Sequence, residues 1–286
     1  MSCRGDQTVK LALSKLSLRM HWIPLALLMV IVAGPLLWSL LSSFKGIFEV
    51  YKSPPTILPE RFLVDGYMQV VQYPFFARIA FNSLFLGFGS TVLTLLLSVL
   101  AGYGFARYRF ALKGPLLMAI LVPRILPRVA LIIPLFRLFA TLRVLDTYVP
   151  LFLTYVASGI PFATWVLTAY FSTLPVEIED AAAVDGVTGL QLLWHIVVPM
   201  SAPAMVTAGI ISFVTSWHEF PFALSFVQST RMRTLPFQLY VVKDTIGLEN
   251  WPVVLAFTIL TIIPVLLLYL AFTRRVVSGI VSGAIK

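Results

Sequence analysis

The chain has 286 residues, of which 59% are hydrophobic and only 12% charged, against roughly 25% charged in an ordinary soluble domain. Its mean hydropathy is +0.94, more apolar surface than one globular core can bury, which indicates an integral membrane protein and excludes a soluble enzyme, a secreted disulfide scaffold and a disordered regulator. The formal net charge of +9 fits Lys and Arg flanking membrane spans; with no basic run interleaved with aromatics, nucleic acid is not expected as a partner.

Residues 1–20 are polar and basic (Arg4, Lys10, Lys15, Arg19) and read as a cytoplasmic tail. The apolar stretch 20–44 is too long for a signal-peptide core and reads as an uncleaved first span. Residues 21–78 hold that span and an outer loop, 45–78, in which Pro54, Pro55 and Pro59 favour an extended surface segment. Residues 79–275 form the rest of the membrane body. Charge-free windows place spans at 79–106, 147–176, 186–218 and 250–273, each longer than the roughly 20 residues a helix needs to cross hydrocarbon.

A sixth stretch, 115–136, is interrupted by Arg124 and Arg128 and by Pro123, Pro127 and Pro134. It reads as a broken helix, a form tolerated at membrane depth only where it packs on protein or lines a wet cavity. Residues 276–286 are a C-terminal tail. The expected fold is all-α and polytopic, with six transmembrane helices and a cytoplasmic helix-turn-helix. Six crossings put both ends on one side. Lys/Arg totals on the two sides nearly balance, but the dense group Arg107, Arg109 and Lys113, with Arg274 and Arg275 at the last span, places both termini in the cytoplasm.

The loop 172–199, STLPVEIEDAAAVDGVTGLQLLWHIVVP, is cytoplasmic on this topology, yet it carries no Lys or Arg and holds Glu177, Glu179, Asp180 and Asp185. Pro175 suits a first helical turn, and the acidic residues then sit at the positive end of the helix dipole. Ala181, Ala182 and Ala183 are strong helix formers. Asp185-Gly186 is a turn dipeptide, a place where added bulk is expected to be excluded. Thr188 with Gln191 makes a capping box for a second helix, which Pro199 ends. Taken alone, this is either a solvated helical hairpin or a docking element with a small-residue face.

The spacing of this loop resembles the EAA motif of binding-protein-dependent ABC transporter permeases: Glu-Ala-Ala, three residues, Gly, nine residues, Ile, one residue, Leu-Pro. Here Asp180-Ala181-Ala182, Gly186, Ile196 and Val198-Pro199 occupy those places, with Asp180 for Glu and Val198 for Leu. Further stretches are similar to the smaller six-span subunit of the maltose-type carbohydrate family. They are Asn82-Ser83-Leu84, Ala101-Gly102-Tyr103-Gly104-Phe105-Ala106-Arg107, Ile133-Pro134-Leu135-Phe136, Pro161-Phe162-Ala163, Trp217-His218-Glu219-Phe220 and the tail from Ser278 to Lys286. His218 stands where that family usually has Asn.

What the resemblance implies is a permease subunit of an ATP-driven sugar importer in a bacterial inner membrane, working by alternating access. Its expected partners are a second homologous permease, two cytoplasmic ATPase subunits that bind ATP and Mg, and an extracytoplasmic solute-binding protein, all in a lipid bilayer. Glu179, Asp180, Ala181, Ala182, Gly186, Ile196 and Pro199 are then the ATPase-coupling residues. This chain is not expected to be an enzyme or to hold a cofactor. It has no Gly-x4-Gly-Lys-Ser/Thr phosphate loop and no Gly-x-Ser-x-Gly elbow. His218-Glu219 begins a His-Glu-x-x-His zinc motif, but Phe222 stands at the second ligand position, and Cys3 is the only cysteine; no metal site or disulfide is expected.

Candidates for a substrate path are Asn82, Arg124, Arg128, Trp217, His218 and Glu219. Glu219, the carboxylate set well inside an apolar stretch, either serves that path or sits half solvated at the mouth of a span. Arg124 and Arg128, four apart on one helix face, either line the path, which would favour an anionic or strongly hydrogen-bonding solute, or snorkel to headgroups. Trp217, Trp251, Tyr240 and Tyr148 read as an interfacial belt. The alternative function is a stand-alone secondary transporter, which would need an intramembrane coupling-ion site of which only His218 and Glu219 are candidates. An intramembrane hydrolase would need a nucleophile–base pair that is not evident.

Overall fold

A computed structural model describes the backbone of residues 4–246 and 250–284, and the side chains of residue 22, 24–245 and 250–272. Among the described residues every regular element is helical. The chain divides into two compact units, residues 1–70 with 243–259, and residues 71–242 with 260–286.

The first unit contains α1 (Arg4–Ser42), α2 (Ile47–Val50) and most of α3 (Asp65–Gln72). The apolar part of α1, Pro24–Ser42, is only 6% buried within the protein, which leaves its surface for lipid or a partner. The following loop is built on two buried charges. Lys45 donates to the carbonyl of Thr56 and lies over the Trp38 ring. Glu49 accepts from the Thr56 hydroxyl at 2.8 Å and from the Glu60 N–H at 2.9 Å. Burial pulls the Glu49 carboxyl up. The donors from Glu60, Thr56 and Gly46 and the charge of Lys45 outweigh it and hold the group below the usual carboxylate range.

The second unit is organised by α4 (Phe76–Arg107), followed by α5 (Lys113–Leu121), α6 (Arg128–Thr141) and α7 (Tyr148–Phe171). Short elements α8 (Val176–Val184), α9 (Gly189–Leu192) and α10 (Val198–Met200) lead into α11 (Ala202–Trp217), α12 (Pro221–Phe226) and α13 (Leu235–Ile246). The last helix is α14 (Trp251–Ala284). Among the described residues, four helices are long and apolar enough to cross a membrane alone: α1 over Pro24–Ser42, α4, α7 and α14 over Trp251–Phe272. Two bent pairs bring the total to as many as six: Lys113–Arg124 with Arg128–Thr141, bent by 93°, and Gly189–Met200 with Ala202–Trp217, bent by 82°.

The first bend is the one expected from Pro123 and Pro127. The second lies just after Pro199, where the sequence ends the loop's second helix, and it divides the charge-free window 186–218. The window is apolar throughout, but it folds at Ser201 into a loop helix and a 16-residue helix, about 24 Å long.

α4 and α7 run parallel. Near their starts, Leu86 packs with Leu151 and Tyr155, and Tyr148 Oη donates to Asn82 Oδ1 at 2.6 Å. Near their ends, Val99 packs with Leu167 and Phe171. A parallel pair forces the intervening bent pair to carry the chain back across the bundle, so the broken segment is a full return. α11 runs the other way, with Ala204 in the second cluster and α12, just beyond its far end, in the first.

The contact face of α4 is small and hydroxylated: Ser83, Gly87, Ser90, Thr91, Thr94, Ser98 and Gly102 are all buried. Ser90 Oγ donates to Ser216 Oγ at 3.0 Å, and Thr164 Oγ1 to Ser98 Oγ at 3.2 Å. Such a face suits a bilayer, where close backbone approach and polar contacts replace hydrophobic drive. The turn between α6 and α7 is pinned by Asp146, whose Oδ1 accepts from the N–H groups of Gln228 and Ser229, each at 2.9 Å. Burial raises the Asp146 carboxyl, but those two N–H groups and the Ser229 hydroxyl hold it below its ordinary value.

Two glycines on α4 test the close-packing account. A Cβ at Gly102 would lie 3.1 Å from Leu167 Cβ and 3.2 Å from the Thr168 backbone N, whereas one at Gly104 meets nothing within 4 Å. Gly102→Ala is expected to destabilise by about 1–3 kcal/mol. Gly104→Ala is expected to be neutral or stabilising by up to about 1 kcal/mol. Reversible SDS unfolding followed by tryptophan fluorescence measures both, and equal effects would refute the account.

Candidate functional site

The acidic loop folds as a helix, a tight turn and a second, distorted helix. Pro175 precedes α8 with φ −58° and ψ 129°. Glu177 and Glu179 occupy its first turn, where the helix dipole favours them. α8 ends in a Schellman arrangement: Val187 N–H donates to the Ala182 carbonyl at 3.0 Å and Gly186 N–H to the Ala183 carbonyl at 3.1 Å. Gly186 has φ +83°, which only glycine adopts without strain.

A Cβ there would meet nothing within 4 Å. The expectation that bulk is excluded at Gly186 is therefore corrected: its requirement is conformational. The expected capping box does not form either. Thr188 is in N-cap position but its side chain makes no capping bond.

The second helix contains a π-turn, Leu193–Val197. Pro199 explains it: proline lacks an N–H and its ring clashes with the carbonyl four residues back, that of His195. The chain widens instead, and Val198 N–H reaches Leu193 O. Ile196 is half-buried in that turn, and Pro199 is exposed beyond it.

The residues of the motif divide by direction. Ala182 faces inward at 7% exposure, while Asp180, Ala181, Ala183 and Gly186 are exposed. Glu179 points away from the others, toward the end of α4. Arg107 Nε donates to Glu179 Oε1 at 2.7 Å and Arg107 Nη2 approaches the same oxygen at 2.6 Å. Tyr103 Oη donates to Glu179 Oε2 at 2.8 Å. A further Arg107 bond, to the Leu174 carbonyl at 3.0 Å, ties the guanidinium to the start of the loop.

Tyr103 and Arg107 carry much of the loop's attachment and were not singled out as site residues from the sequence. Their i, i+4 spacing at a helix end opposite an acidic loop was the available signal. Val184 was also missed. It is an apolar side chain 88% exposed, next to the turn.

The second feature is a cavity of about 150 Å³ at the break between α5 and α6. Both Arg124 and Arg128 line it, with Phe162 and Ser158 of α7 and Ser212 and Thr215 of α11. The Arg124 guanidinium lies 4.8 Å from the Phe162 ring centre.

The other path candidates lie elsewhere. Asn82 is fully buried and donates to the carbonyls of Arg231 and Arg233, each at 2.8 Å. Trp217 is 2% exposed, with Nε1 donating to the Thr261 carbonyl at 3.2 Å. This places Trp217 in the core and corrects its assignment to an interfacial belt.

Glu219 is 3% exposed, which removes the half-solvated position, one of the two alternatives weighed for it. Its carboxylate accepts from Phe222 N–H at 2.9 Å and Ala223 N–H at 3.2 Å, capping the otherwise orphaned donors of α12. His218 beside it is exposed.

Removing the ion pair should release α8 specifically. Glu179→Ala is expected to lower the local opening energy of residues 176–184 by roughly 1.5–3 kcal/mol, read as amide exchange about 10- to 100-fold faster across that helix. Tyr103→Phe, which loses one hydrogen bond, should show a smaller increase. Unchanged exchange in Glu179→Ala would exclude the clamp.

Comparison with known proteins identifies the family. The family described as binding-protein-dependent transport system inner membrane component matches residues 94–281. The chain is 35% identical over 267 residues to the sulfoquinovosyl glycerol transport system permease protein SmoH of Agrobacterium fabrum, covering 93% of each. It is 32% identical over 266 residues to the trehalose/maltose transport system permease protein MalG of Thermococcus litoralis, covering 91% of this chain and 94% of that one.

In fold it is similar to a solved bacterial ABC transporter involved in the import of the acidic polysaccharide alginate. The TM-score is 0.76 at 19% identity, over 96% of this chain and 98% of that one. With the loop spacing, the crossings and these matches in place, the chain belongs to the family of binding-protein-dependent transport system inner membrane components.

Proposed function

We propose that this chain is the transmembrane permease subunit of an ATP-driven importer that moves a sugar or sugar-like solute into the cytoplasm by alternating access. The observation that carries the reading is the loop: a short helix with an exposed small and apolar arc, Ala181, Ala183 and Val184, held by Glu179 on Arg107 and Tyr103. A surface of that kind, followed by a glycine turn, suits insertion into a cleft of another subunit. The expected occupant is a cytoplasmic ATPase, two copies of which would hold ATP and Mg. A second homologous permease completes the membrane part. An extracytoplasmic binding protein delivers the solute, in keeping with the family's description and with a related alginate transporter solved with a substrate-bound periplasmic protein.

The carbohydrate class is supported by the names of the relatives, whose cargoes are sulfoquinovosyl glycerol and trehalose or maltose. Both termini are assigned to the cytoplasm from the Lys/Arg density, which puts the loop 172–199 on the same side. Membership of a binding-protein-dependent family does not favour a stand-alone secondary transporter.

Val184→Arg tests the docking surface. At 88% exposure the side chain supports little of this chain's own packing, so the variant should reach the membrane at normal levels. A charge placed in a desolvated contact is expected to weaken subunit association by about 2–4 kcal/mol. ATPase co-purification and ATP-dependent uptake should then fall at least tenfold. Wild-type co-purification and uptake in this variant would overturn the reading.

A further inference from the structure

The cavity at the break between α5 and α6 has features that the docking loop does not use. Phe162, under the Arg124 guanidinium, stands nine residues before the end of α7 at Phe171, about 13 Å from the nearer helix end. On this 24-residue helix that is well short of either end, deeper than the span end where a snorkelling arginine sits. A charged side chain there is costly to insert unless it finds water or a partner.

Neither Arg124 nor Arg128 has an ion pair among the described residues. Arg128 is within electrostatic reach of Glu219, whose carboxylate also accepts from the backbone of α12 and offsets part of that charge; among the described residues Arg124 has only the Phe162 ring. The start of α6 lies at the same place, with Pro127 as N-cap and no side-chain capping bond, which adds the positive end of a helix dipole. Independently, Ser212 in the cavity wall is 3% exposed and its Oγ has no hydrogen-bond partner. A buried orphan hydroxyl is costly unless something fills it. The volume of about 150 Å³ has room for several waters or one polar ligand group.

We propose that this cavity is a subsite for the anionic group, a carboxylate, sulfonate or phosphate, of the solute being moved. Arg124 and Arg128 supply charge-assisted hydrogen bonds to the anion, and the Ser212 hydroxyl pairs with a polar group beside it. The reading rests on the transport function proposed above and narrows its cargo to anionic glycosides. A phospholipid headgroup offers the same chemistry, and the test separates the two sources.

The permease–ATPase complex, purified in neutral detergent without the binding protein, is dialysed to equilibrium with labelled methyl β-D-glucuronide and methyl β-D-glucoside. The glucuronide is expected to bind at least tenfold more tightly than the glucoside. The preference should vanish when Arg124→Gln and Arg128→Gln are combined and persist when both are replaced by Lys. Equal affinity of the two probes for the wild-type complex overturns the proposal, as does a preference that survives the double Gln variant. The wild-type comparison needs no variant, so poor folding of a variant leaves the test standing.

Phospholipid co-purifying with the wild-type complex is quantified in parallel. Stoichiometric phosphatidylglycerol that is lost from the double Gln variant would assign the cavity to lipid and overturn the solute subsite. ATP-coupled uptake by the wild-type complex and its loss in Val184→Arg are read separately; both of those results without an anion preference remove the subsite alone.

Discussion

The small, hydroxylated face of α4 is the constraint on which the second unit rests. Lipid tails are as apolar as leucine side chains, so helices in a bilayer gain little by burying Leu against Leu. They associate where backbones approach closely and polar groups find each other. Gly87, Thr94, Ser98 and Gly102 supply that along one face of α4, against Phe213 of α11 and Gly159, Thr164 and Leu167 of α7. The parallel pairing of α4 and α7 then dictates that the intervening segment must cross back. The end of α4 is also where Tyr103 and Arg107 stand, so the same packing aims both side chains at the loop.

The attachment of that loop is economical in contacts. α8 has nine residues, too few to be stable alone in water, and only Ala182 among them is fully buried. Its position depends on a nearly buried ion pair, with Arg107 and Glu179 side chains 14% and 11% exposed, and on the Schellman turn at Gly186. An ion pair so placed is costly to break one-sidedly, because the remaining charge loses its partner. It holds the helix in register while leaving Asp180, Ala181 and Val184 outward. Sequence spacing groups Glu179 and Asp180 as adjacent acids of one motif; the helix sends one inward to Arg107 and the other to the surface.

Much of the fold was legible because the membrane imposes simple rules. Long charge-free windows mark spans, and Pro123 and Pro127 mark the break between α5 and α6. Pro199 marked the end of the loop's second helix, beside the observed break, but the 82° bend there was not legible, because the window around it is uniformly apolar and hydropathy carries no information about direction. The capping box at Thr188 failed for a related reason: the pattern was present, but the side chain did not take up the bond. Glu219 stood out by charge in an apolar stretch, yet its two oxygens answer a local need, the orphaned donors at the start of α12. Asn82 and Trp217 likewise satisfy backbone carbonyls of distant segments, partners that no local pattern reveals. The Arg124 and Arg128 pair was legible as an anomaly, but its depth beside Phe162 came only from the fold.

The loop and the cavity are joined by covalent structure. α11 begins at the bend after α10, next to the π-turn that Pro199 imposes, and its other half carries Ile211, Ser212 and Thr215 into the cavity wall. α7 likewise runs from Thr154 and Phe162 at the cavity to Phe171 in the cluster that also holds Leu193 and Val197. Both stretches are continuous helix, α7 with Pro161 inside it. A π-turn and an 82° bend lie between the exposed helix α8 and α11, and these are the places where backbone angles can change without breaking the packed seam of α4. Val184 and Asp180 therefore lie between the ion pair on one side and the bend at Ser201 on the other. The ion pair ties α8 to α4, and α11, which starts at the bend, carries Ser212 to the cavity wall opposite Phe162.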